Sequence, residues 1–256
     1  MFPVKELDKS NGKIAEMFDK IARRYDFLNH LLSFNIDRTW RRKSVRWVLG
    51  QTASNSNPHP VILDLACGTG DLSGLLYKNG AKVVGADISG GMLSIAEKKN
   101  EKLAAWAGSR RRNDAWYAGN LPEYMQFGAE HILLPNNSCS AVTIAFGFRN
   151  FEDRRGALGE IFRVLKKGGS LAILEFAYPD NFLAKRAFNL YFKYYLPIVG
   201  KVVSKDKDAY KYLVESVIAF PKYDALSREL TDAGFDDVRY RRFTFGIACL
   251  YMARKG

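Results

Sequence analysis

Hydrophobic and polar positions along the first fifth of the chain follow a helical period. Apolar residues recur three and four positions apart, which predicts an amphipathic helix over residues 12–33. A second helical stretch, roughly residues 37–49, contains Trp40 and Trp47 among several arginines. The polar, turn-rich segment "GQTASNSNPHP" follows. Such a segment is typical of a boundary between structural units.

Beyond that segment, strand and helix signals alternate. The runs "VILDLA", "AKVVGADI", "SAVTIAFGF" and "GSLAILEFA" predict strands with helices between them. Gly168 and Gly169 should end the helix around "RRGALGEIFRVLKKGG", because glycine accepts the positive φ of a helix C-terminus. Two C-terminal runs joined at Gly246 predict an antiparallel hairpin. The alternation indicates crossover units and a mostly parallel sheet.

These elements predict an α/β fold with a Rossmann-like, mostly parallel sheet and a C-terminal antiparallel hairpin strand. Residues 1–50 should form an N-terminal helical segment that packs on the core, and residues 58–256 the main domain. An aromatic, basic stretch over about residues 180–222 is too long for a plain crossover, and we interpret it as a helical insertion that caps the domain. The three cysteines form no zinc pattern, so we expect no metal site and a reducing cytoplasmic setting.

The stretch "DLACGTGD" follows the first predicted strand, where ligands of open parallel sheets bind. Gly68 and Gly70 allow positive φ and a close approach of a ligand to the backbone. A P-loop would need a lysine here, and a dinucleotide fingerprint would need its third glycine one residue before Gly74. Asp64 and Asp71 instead favour a positively charged ligand.

S-adenosylmethionine (SAM) fits this turn, because it carries an ammonium and a sulfonium and has no phosphate. Asp64 and Asp71 would favour its cationic end, directly or through water. Asp87, at the end of the second predicted strand, can accept from both ribose hydroxyls. The alternative is that Asp64 and Asp87 only cap helices or accept from loop amides.

Longer motifs carry a resemblance to a known family. "DLACGTGD…GADI" resembles motif one and the ribose acid of class I SAM-dependent methyltransferases. "YDFLNHLLSFNIDRTWRR", "AFGFRNFED" and "RVLKKGGSLAILEF" resemble the ubiquinone/menaquinone-biosynthesis C-methyltransferases, and "DKDAYKYLVES" resembles their cap motif. The resemblance runs from about residue 12 to the end. It implies methylation of a ring carbon of a polyprenylated quinol, and we expect demethylmenaquinol, which gives menaquinol, to be the substrate. The alternative is the 2-methoxy-6-polyprenyl-benzoquinol of ubiquinone biosynthesis, or both.

The resemblance also implies cofactor contacts. These are Thr69 in motif one, Asp87 at the ribose, and the pair Gly128 and Ala129. The family usually has asparagine or aspartate where this chain has Gly128. We therefore expect only backbone atoms to bind the adenine there.

Methyl transfer to a ring carbon needs a phenolate, and a free phenol titrates near pH 10. Arg149, at the end of a predicted strand, is expected to stabilise the oxyanion, and Asn150 to orient the ring. The alternative for Arg149 is a salt bridge to Glu152 or Asp153. Asp26, or a water held by Arg149, is the expected general base.

Four further residues are expected to bind the quinol, with core packing as the alternative for the tyrosines. They are Tyr25, Asn29, Tyr210 and Tyr212.

The net charge of +12 indicates an anionic partner. A polyprenylated substrate lies in the bilayer, so we expect peripheral binding at the inner face of an anionic membrane. Basic residues flank Trp40 and Trp47, and others lie among aromatic residues in the insertion; the alternative is that these aromatics face the core or the second subunit of a homodimer. The insertion set is Lys185, Arg186, Phe188, Tyr191, Phe192, Lys193, Tyr194 and Tyr195.

Two rival functions stay open at the level of sequence. The first is a methyltransferase for RNA or a soluble metabolite, although no RNA-binding module or NPPY-like tetrapeptide is present and we expect no nucleic-acid partner. The second is a catalytically silent SAM-binding scaffold. The intact acids and glycines of motif one argue against the scaffold.

Overall fold

The computed structural model describes residues 7–52, 58–109, 115–190 and 207–256. Its helices are α1 (Asn11–Leu32), α2 (Ile36–Thr52), α3 (Asp71–Lys78), α4 (Gly90–Ser109), α5 (Ala115–Gly119), α6 (Arg154–Val164), α7 (Phe182–Leu190), α8 (Lys207–Ala219) and α9 (Asp224–Asp232). Its strands are β1 (Val61–Leu65), β2 (Lys82–Asp87), β3 (Glu123–Gln126), β4 (Cys139–Ala145), β5 (Leu165–Phe176), β6 (Phe235–Phe243) and β7 (Ala248–Lys255). Short 3₁₀ turns cover Phe148–Asn150 and Thr244–Gly246.

The described strands form one sheet in the order β3-β2-β1-β4-β5-β7-β6. Strands β1 to β5 pair in parallel, while β7 is antiparallel to both β5 and β6. The predicted fold class and the C-terminal hairpin are confirmed. Because β6 runs in the same direction as β5, the Thr244–Gly246 turn lies at the carboxyl edge of the parallel strands.

Both faces of the sheet are covered, because alternate strand residues point to opposite sides. Leu63 and Leu65 of β1 pack in one core cluster and Ile62 in the other. Trp40 and Val48 of α2 belong to the second cluster, so α2 covers that face of the sheet. Trp40 is 4% exposed, which removes it from the predicted membrane-facing aromatics.

The predicted end of helix α6 at Gly168 and Gly169 is wrong. The helix ends at Val164, and Leu165 is extended, fully buried and paired with Cys139 of β4. Gly168 does have a positive φ of 73°, but it lies inside β5, where the pairing with β4 is irregular. Burial of the Leu165 side chain therefore fixes where the helix stops, before the glycines are reached.

Strand β3 is absent from the sequence-based prediction because it is short and half-exposed. Its four residues, "EYMQ", are not apolar enough to stand out from a loop. It forms the sheet edge beside β2.

Helices α7 and α8 lie within the predicted insertion. Phe188 on α7 is buried, so it faces the core. Among the described residues, no helix is both long enough and apolar enough to cross a membrane. Five residues of the predicted insertion set lie outside the described residues: Tyr191, Phe192, Lys193, Tyr194 and Tyr195.

Candidate active site

The turn after β1 needs its glycines for two reasons. Ala66, Gly68 and Gly70 all have positive φ, at 53°, 55° and 78°. A Cβ added to Gly70 would lie 2.5 Å from the Tyr124 hydroxyl oxygen and 3.0 Å from the Ala96 Cβ. The turn therefore brings backbone atoms close together in a conformation that L side chains rarely adopt.

Asp87 ends β2 beside this turn. Its Oδ2 accepts from the Gly68 backbone N–H at 2.8 Å, and its Oδ1 accepts from the Ser89 N–H at 2.9 Å. Burial raises the pKa of this carboxyl, and the side chain lines a cavity. Because a carboxylate offers about four acceptor positions, both the predicted ribose contact and the alternative of loop-amide acceptance fit this geometry.

The cavity lies between α1 and the carboxyl ends of β1, β2 and β4. From the sheet side it is lined by Gly68, Asp87 and Ala129, and Gly128 directly precedes Ala129. From α1 it is lined by Phe18 and Tyr25 among others. The structure therefore brings together the predicted ribose acid, part of the glycine turn and one predicted quinol-binding tyrosine. Thr69 and Gly70 lie in the same turn but do not line the cavity.

Asp64 lies behind the turn and does not line the cavity. It is 1% exposed, and it accepts from the Ser73 hydroxyl at 2.6 Å and from the Thr143 hydroxyl at 3.1 Å. The role expected from sequence, that Asp64 favours the cationic end of the ligand directly or through water, stays a prediction. Its visible role is to join β1, α3 and β4 beneath the turn.

Asp64 predicts a pH dependence of stability. Burial raises its pKa from 3.8 to about 6, so the stability that this group contributes is lost as the pH rises from about 4 to about 6. Asp64→Asn removes this titration. We therefore expect the variant's free energy of unfolding, minus that of wild type, to be about 3 kcal/mol larger at alkaline pH than at acid pH. Urea unfolding at about pH 4 and pH 8 measures it. The exposed Asp232→Asn is the control, and a difference independent of pH would contradict the prediction.

Asp26 is held in a polar network that does not line the cavity. Thr69 donates its hydroxyl to Asp26, and Lys99 Nζ lies 2.6 Å from both Asp26 Oδ2 and Asp71 Oδ1. Burial acts to raise the pKa of Asp71, but Lys99 and Arg41 outweigh it and hold that pKa below its ordinary value. The two carboxylates therefore already have a protein cation as partner.

Arg149 is buried and ion-paired at the end of β4. Its Nη1 lies 2.7 Å from Glu175 Oε1, and its backbone N–H donates to Glu175 Oε2 at 3.1 Å. Its Nε donates to the Ser216 hydroxyl of α8 at 3.3 Å. The alternative partners expected from sequence, Glu152 and Asp153, are therefore wrong, and Arg149 does not line the cavity.

Asn150 does line the cavity, next to Arg149 in the Phe148–Asn150 turn. The Tyr212 hydroxyl of α8 donates to Asn150 Oδ1 at 3.1 Å, and burial raises the pKa of Tyr212 to about 12. Tyr25 of α1 also lines the cavity, and burial raises the pKa of its phenol, whereas Asn29 lies one turn further along the helix and does not line the cavity. The side chain of Tyr210, the remaining predicted quinol-binding residue, lies outside what the structure describes.

Two residues of this site were missed by the sequence-based reasoning. Glu175 is a fully buried acid in the apolar run "SLAILEF", which is the signal that could have identified it. Lys99 gave no such signal, because a lysine on an amphipathic helix is ordinary. Its role depends on Asp26 and Asp71, which are distant in sequence.

The strand order and the antiparallel β7 are those of the class I SAM-dependent methyltransferase fold. A crystal structure of magnesium protoporphyrin IX methyltransferase from Synechocystis PCC 6803, with bound SAH, shares the fold with a TM-score of 0.62. It is 17% identical and covers 96% of this chain and 100% of that one. The chain belongs to the ubiE/COQ5 methyltransferase family, whose model matches residues 6–255. The family resemblance and the SAM cofactor predicted from sequence are thereby confirmed.

Two curated relatives align over nearly the full chain. The demethylmenaquinone methyltransferase of Bacteroides fragilis is 39% identical over 252 residues, covering 96% of this chain and 94% of the relative. The ubiquinone/menaquinone biosynthesis C-methyltransferase UbiE of Pseudoalteromonas translucida is 36% identical over 256 residues, covering 98% and 94%. This chain is therefore a SAM-dependent methyltransferase of the family that includes these quinone-biosynthesis enzymes.

Proposed function

We propose that this protein methylates a ring carbon of a polyprenylated quinol and that demethylmenaquinol, which it converts into menaquinol, is its substrate. The observation that carries the proposal is one largely apolar cavity that holds both Asp87 and Asn150, an acid for the cofactor ribose and an amide for the quinol. The names of the curated relatives support the quinol class and include both the menaquinone and the ubiquinone step.

The residues at the β2 side of the cavity fit SAM. Asp87 retains acceptor positions for the two ribose hydroxyls, and the Gly68 backbone can be approached closely. Ile88, Met92 and Phe127 supply apolar walls suited to the adenine. SAM supplies the electrophilic methyl group, and these residues bind and orient it.

The residues at the β4 side suit an aromatic ring with hydroxyl groups. Because the Tyr212 phenol donates to Asn150 Oδ1, the amide nitrogen is the donor that Asn150 offers to a quinol oxygen. Phe146 and Phe151 add apolar walls that exclude water from the ring. Holding the reactants in line could lower the barrier by about 7–11 kcal/mol.

In this proposal the quinol hydroxyl loses its proton to water, and the methylated ring carbon then loses its own proton to water while the oxygen is reprotonated, so that the methylated quinol and SAH are the products. Asp26 would first have to break its contacts with Lys99 and Thr69 to act as the base. Arg149 acts by positioning: its bonds to Glu175 and Ser216 hold the turn that presents Asn150. Turnover should then rise with pH towards the phenol pKa of about 10.

The test is methyl transfer from labelled SAM to three acceptors. These are a short-chain demethylmenaquinol, a short-chain 2-methoxy-6-prenyl-benzoquinol, and bulk RNA. We expect kcat/KM to be at least about tenfold higher for the naphthoquinol, a difference of about 1.4 kcal/mol. A higher kcat/KM for the benzoquinol would show that the protein catalyses the ubiquinone step instead. SAM binding without transfer to any acceptor would support the scaffold alternative.

A variant pair tests the role given to Asn150. Tyr212→Phe removes the hydrogen bond that fixes the amide, and we expect kcat to fall about tenfold with SAM affinity unchanged. Tyr240→Phe on β6, which does not line the cavity, is the matched control. Equal kcat for both variants would remove Tyr212 from the proposal.

A further inference from the structure

Exposed large apolar side chains of the described residues gather at one edge of the molecule. Six of the seven lie on segments at the carboxyl edge of the sheet: Phe34 and Ile36 between α1 and α2, Phe182, Leu183 and Leu190 on α7, and Phe245 in the β6–β7 turn. Leu133 is the exception. Its neighbours Ile132 and Leu134 accept hydrogen bonds from Arg163 near the end of α6, which places it towards the amino edge.

These segments lie beside one another. Trp40 Nε1 of α2 donates to the Thr244 hydroxyl at 3.1 Å, which joins the start of α2 to the β6–β7 turn. The Ala177 N–H donates to the Ile247 carbonyl at 2.9 Å, so the connection from β5 to α7 begins at the same turn. Phe34, Ile36, Phe182, Leu183 and Phe245 together are named the carboxyl-edge surface here.

Phe245 is the most exposed of these side chains. It is 84% exposed and has a φ of 55°, a conformation unfavourable for a bulky residue. Phe182 and Leu183 are each 73% exposed. Side chains of this size, placed in water on neighbouring segments, mark an interaction site more often than a solvated surface.

Cations accompany this surface. Arg38, Arg42 and Lys43 of α2 are exposed, whereas Asp37, the one acid of that helix, is 2% exposed. Lys43 Nζ lies 5.1 Å from the centre of the Phe243 ring, directly before the β6–β7 turn. Exposed apolar side chains on neighbouring segments, with cations beside them, match the interface of an anionic bilayer, into which apolar groups insert while cations meet headgroups.

We propose that the carboxyl-edge surface docks the protein on an anionic lipid bilayer. The cavity lies at the carboxyl ends of β1, β2 and β4, on the same edge of the sheet, so docking brings it close to the membrane in which a polyprenylated substrate would lie. This inference rests on the proposed function for its purpose. The test of the membrane inference does not depend on the proposed function, because vesicle binding is measured without substrate.

The experiment is co-sedimentation of the full chain with two kinds of vesicle. One is phosphatidylcholine alone, and the other contains about a third phosphatidylglycerol, an anionic lipid. We expect binding only to the anionic vesicles, weakened by salt. The variant Phe182→Ser/Phe245→Asn should bind at least about tenfold more weakly, whereas Leu133→Ser, which removes an exposed leucine at the other edge, should bind like wild type.

The charge requirement is tested with matched pairs. Arg38→Gln/Arg42→Gln should weaken binding about 30-fold, because each cation near the headgroups contributes about 1 kcal/mol. Lys98→Gln/Lys102→Gln removes the same charge from the exposed face of α4 and should have a much smaller effect. An equal loss of vesicle affinity in both pairs would show a general effect of net charge and would overturn the proposal that the carboxyl-edge surface is the docking site.

Two further results would also overturn the inference. One is vesicle binding of Phe182→Ser/Phe245→Asn equal to wild type. The other is a wild-type dimer in sedimentation velocity that this variant dissociates, with no vesicle binding by either, which would make the surface an interface between copies. Methylation of a short-chain, water-soluble quinol should be unchanged in this variant. Absence of that activity in wild type would contradict the proposed function and leave the vesicle result standing.

Discussion

Arg149→Leu is expected to lower the free energy of unfolding by about 3–5 kcal/mol, because it leaves a buried carboxylate without its counter-charge. Glu175 is fully buried and Arg149 is 5% exposed, with 2.7 Å between Nη1 and Oε1. Urea unfolding of both proteins measures the effect. The exposed Arg155→Leu on the next helix is the control and should stay within about 0.5 kcal/mol of wild type.

The double variant Arg149→Leu/Glu175→Gln separates the charge from the other contacts. In the structure the two Glu175 oxygens accept separately from the backbone N–H groups of Arg149 and Phe176, and the single oxygen of a neutral glutamine can keep one of these two contacts. We expect the double variant to recover part of the stability lost by Arg149→Leu. A double variant that is less stable than the single one would contradict the ion-pair explanation. Loss of turnover in Arg149→Leu alone cannot be assigned to catalysis unless stability is measured alongside.

Asp87→Asn is expected to weaken SAM binding by about 100-fold. Each hydrogen bond from a ribose hydroxyl to the charged carboxylate contributes about 1.5–3 kcal/mol, and the amide retains only one acceptor oxygen. That oxygen must also serve the Gly68 and Ser89 N–H groups, so the turn itself loses an acceptor. Isothermal titration calorimetry with SAM and with SAH measures the change.

Asp19→Asn is the matched control for Asp87. Asp19 lies on α1 and accepts from the Ser89 hydroxyl and the Gly91 N–H near the same loop, but it does not line the cavity. We expect this variant to bind SAM within about fivefold of wild type, about 1 kcal/mol. If both variants bind SAM equally well, Asp87 is not the ribose acid.

Most of the fold could be predicted from local sequence patterns. Buried strand runs, helical periods and the glycine turn are read over neighbouring residues, so the parallel sheet, the hairpin and the placement of Asp87 beside Gly68 could all be predicted. The two errors, the missing β3 and the misplaced end of α6, arise where pairing and burial in the sheet decide the structure and the local pattern does not. β3 has too few apolar residues to stand out, and α6 ends where Leu165 becomes buried in the sheet and not at the glycines.

The sequence by itself determined the fold class, the family and the location of the glycine turn after β1, because each depends on contiguous residues. Only the tertiary structure decided which polar side chains face the cavity and which face one another. Arg149 meets Glu175, and Asn150 meets Tyr212, across 26 and 62 residues of chain. Such pairs form when elements pack, and no local period records them. The same packing buried Trp40 and left Phe245 exposed, so Phe245, and not Trp40, belongs to the surface proposed to meet a membrane.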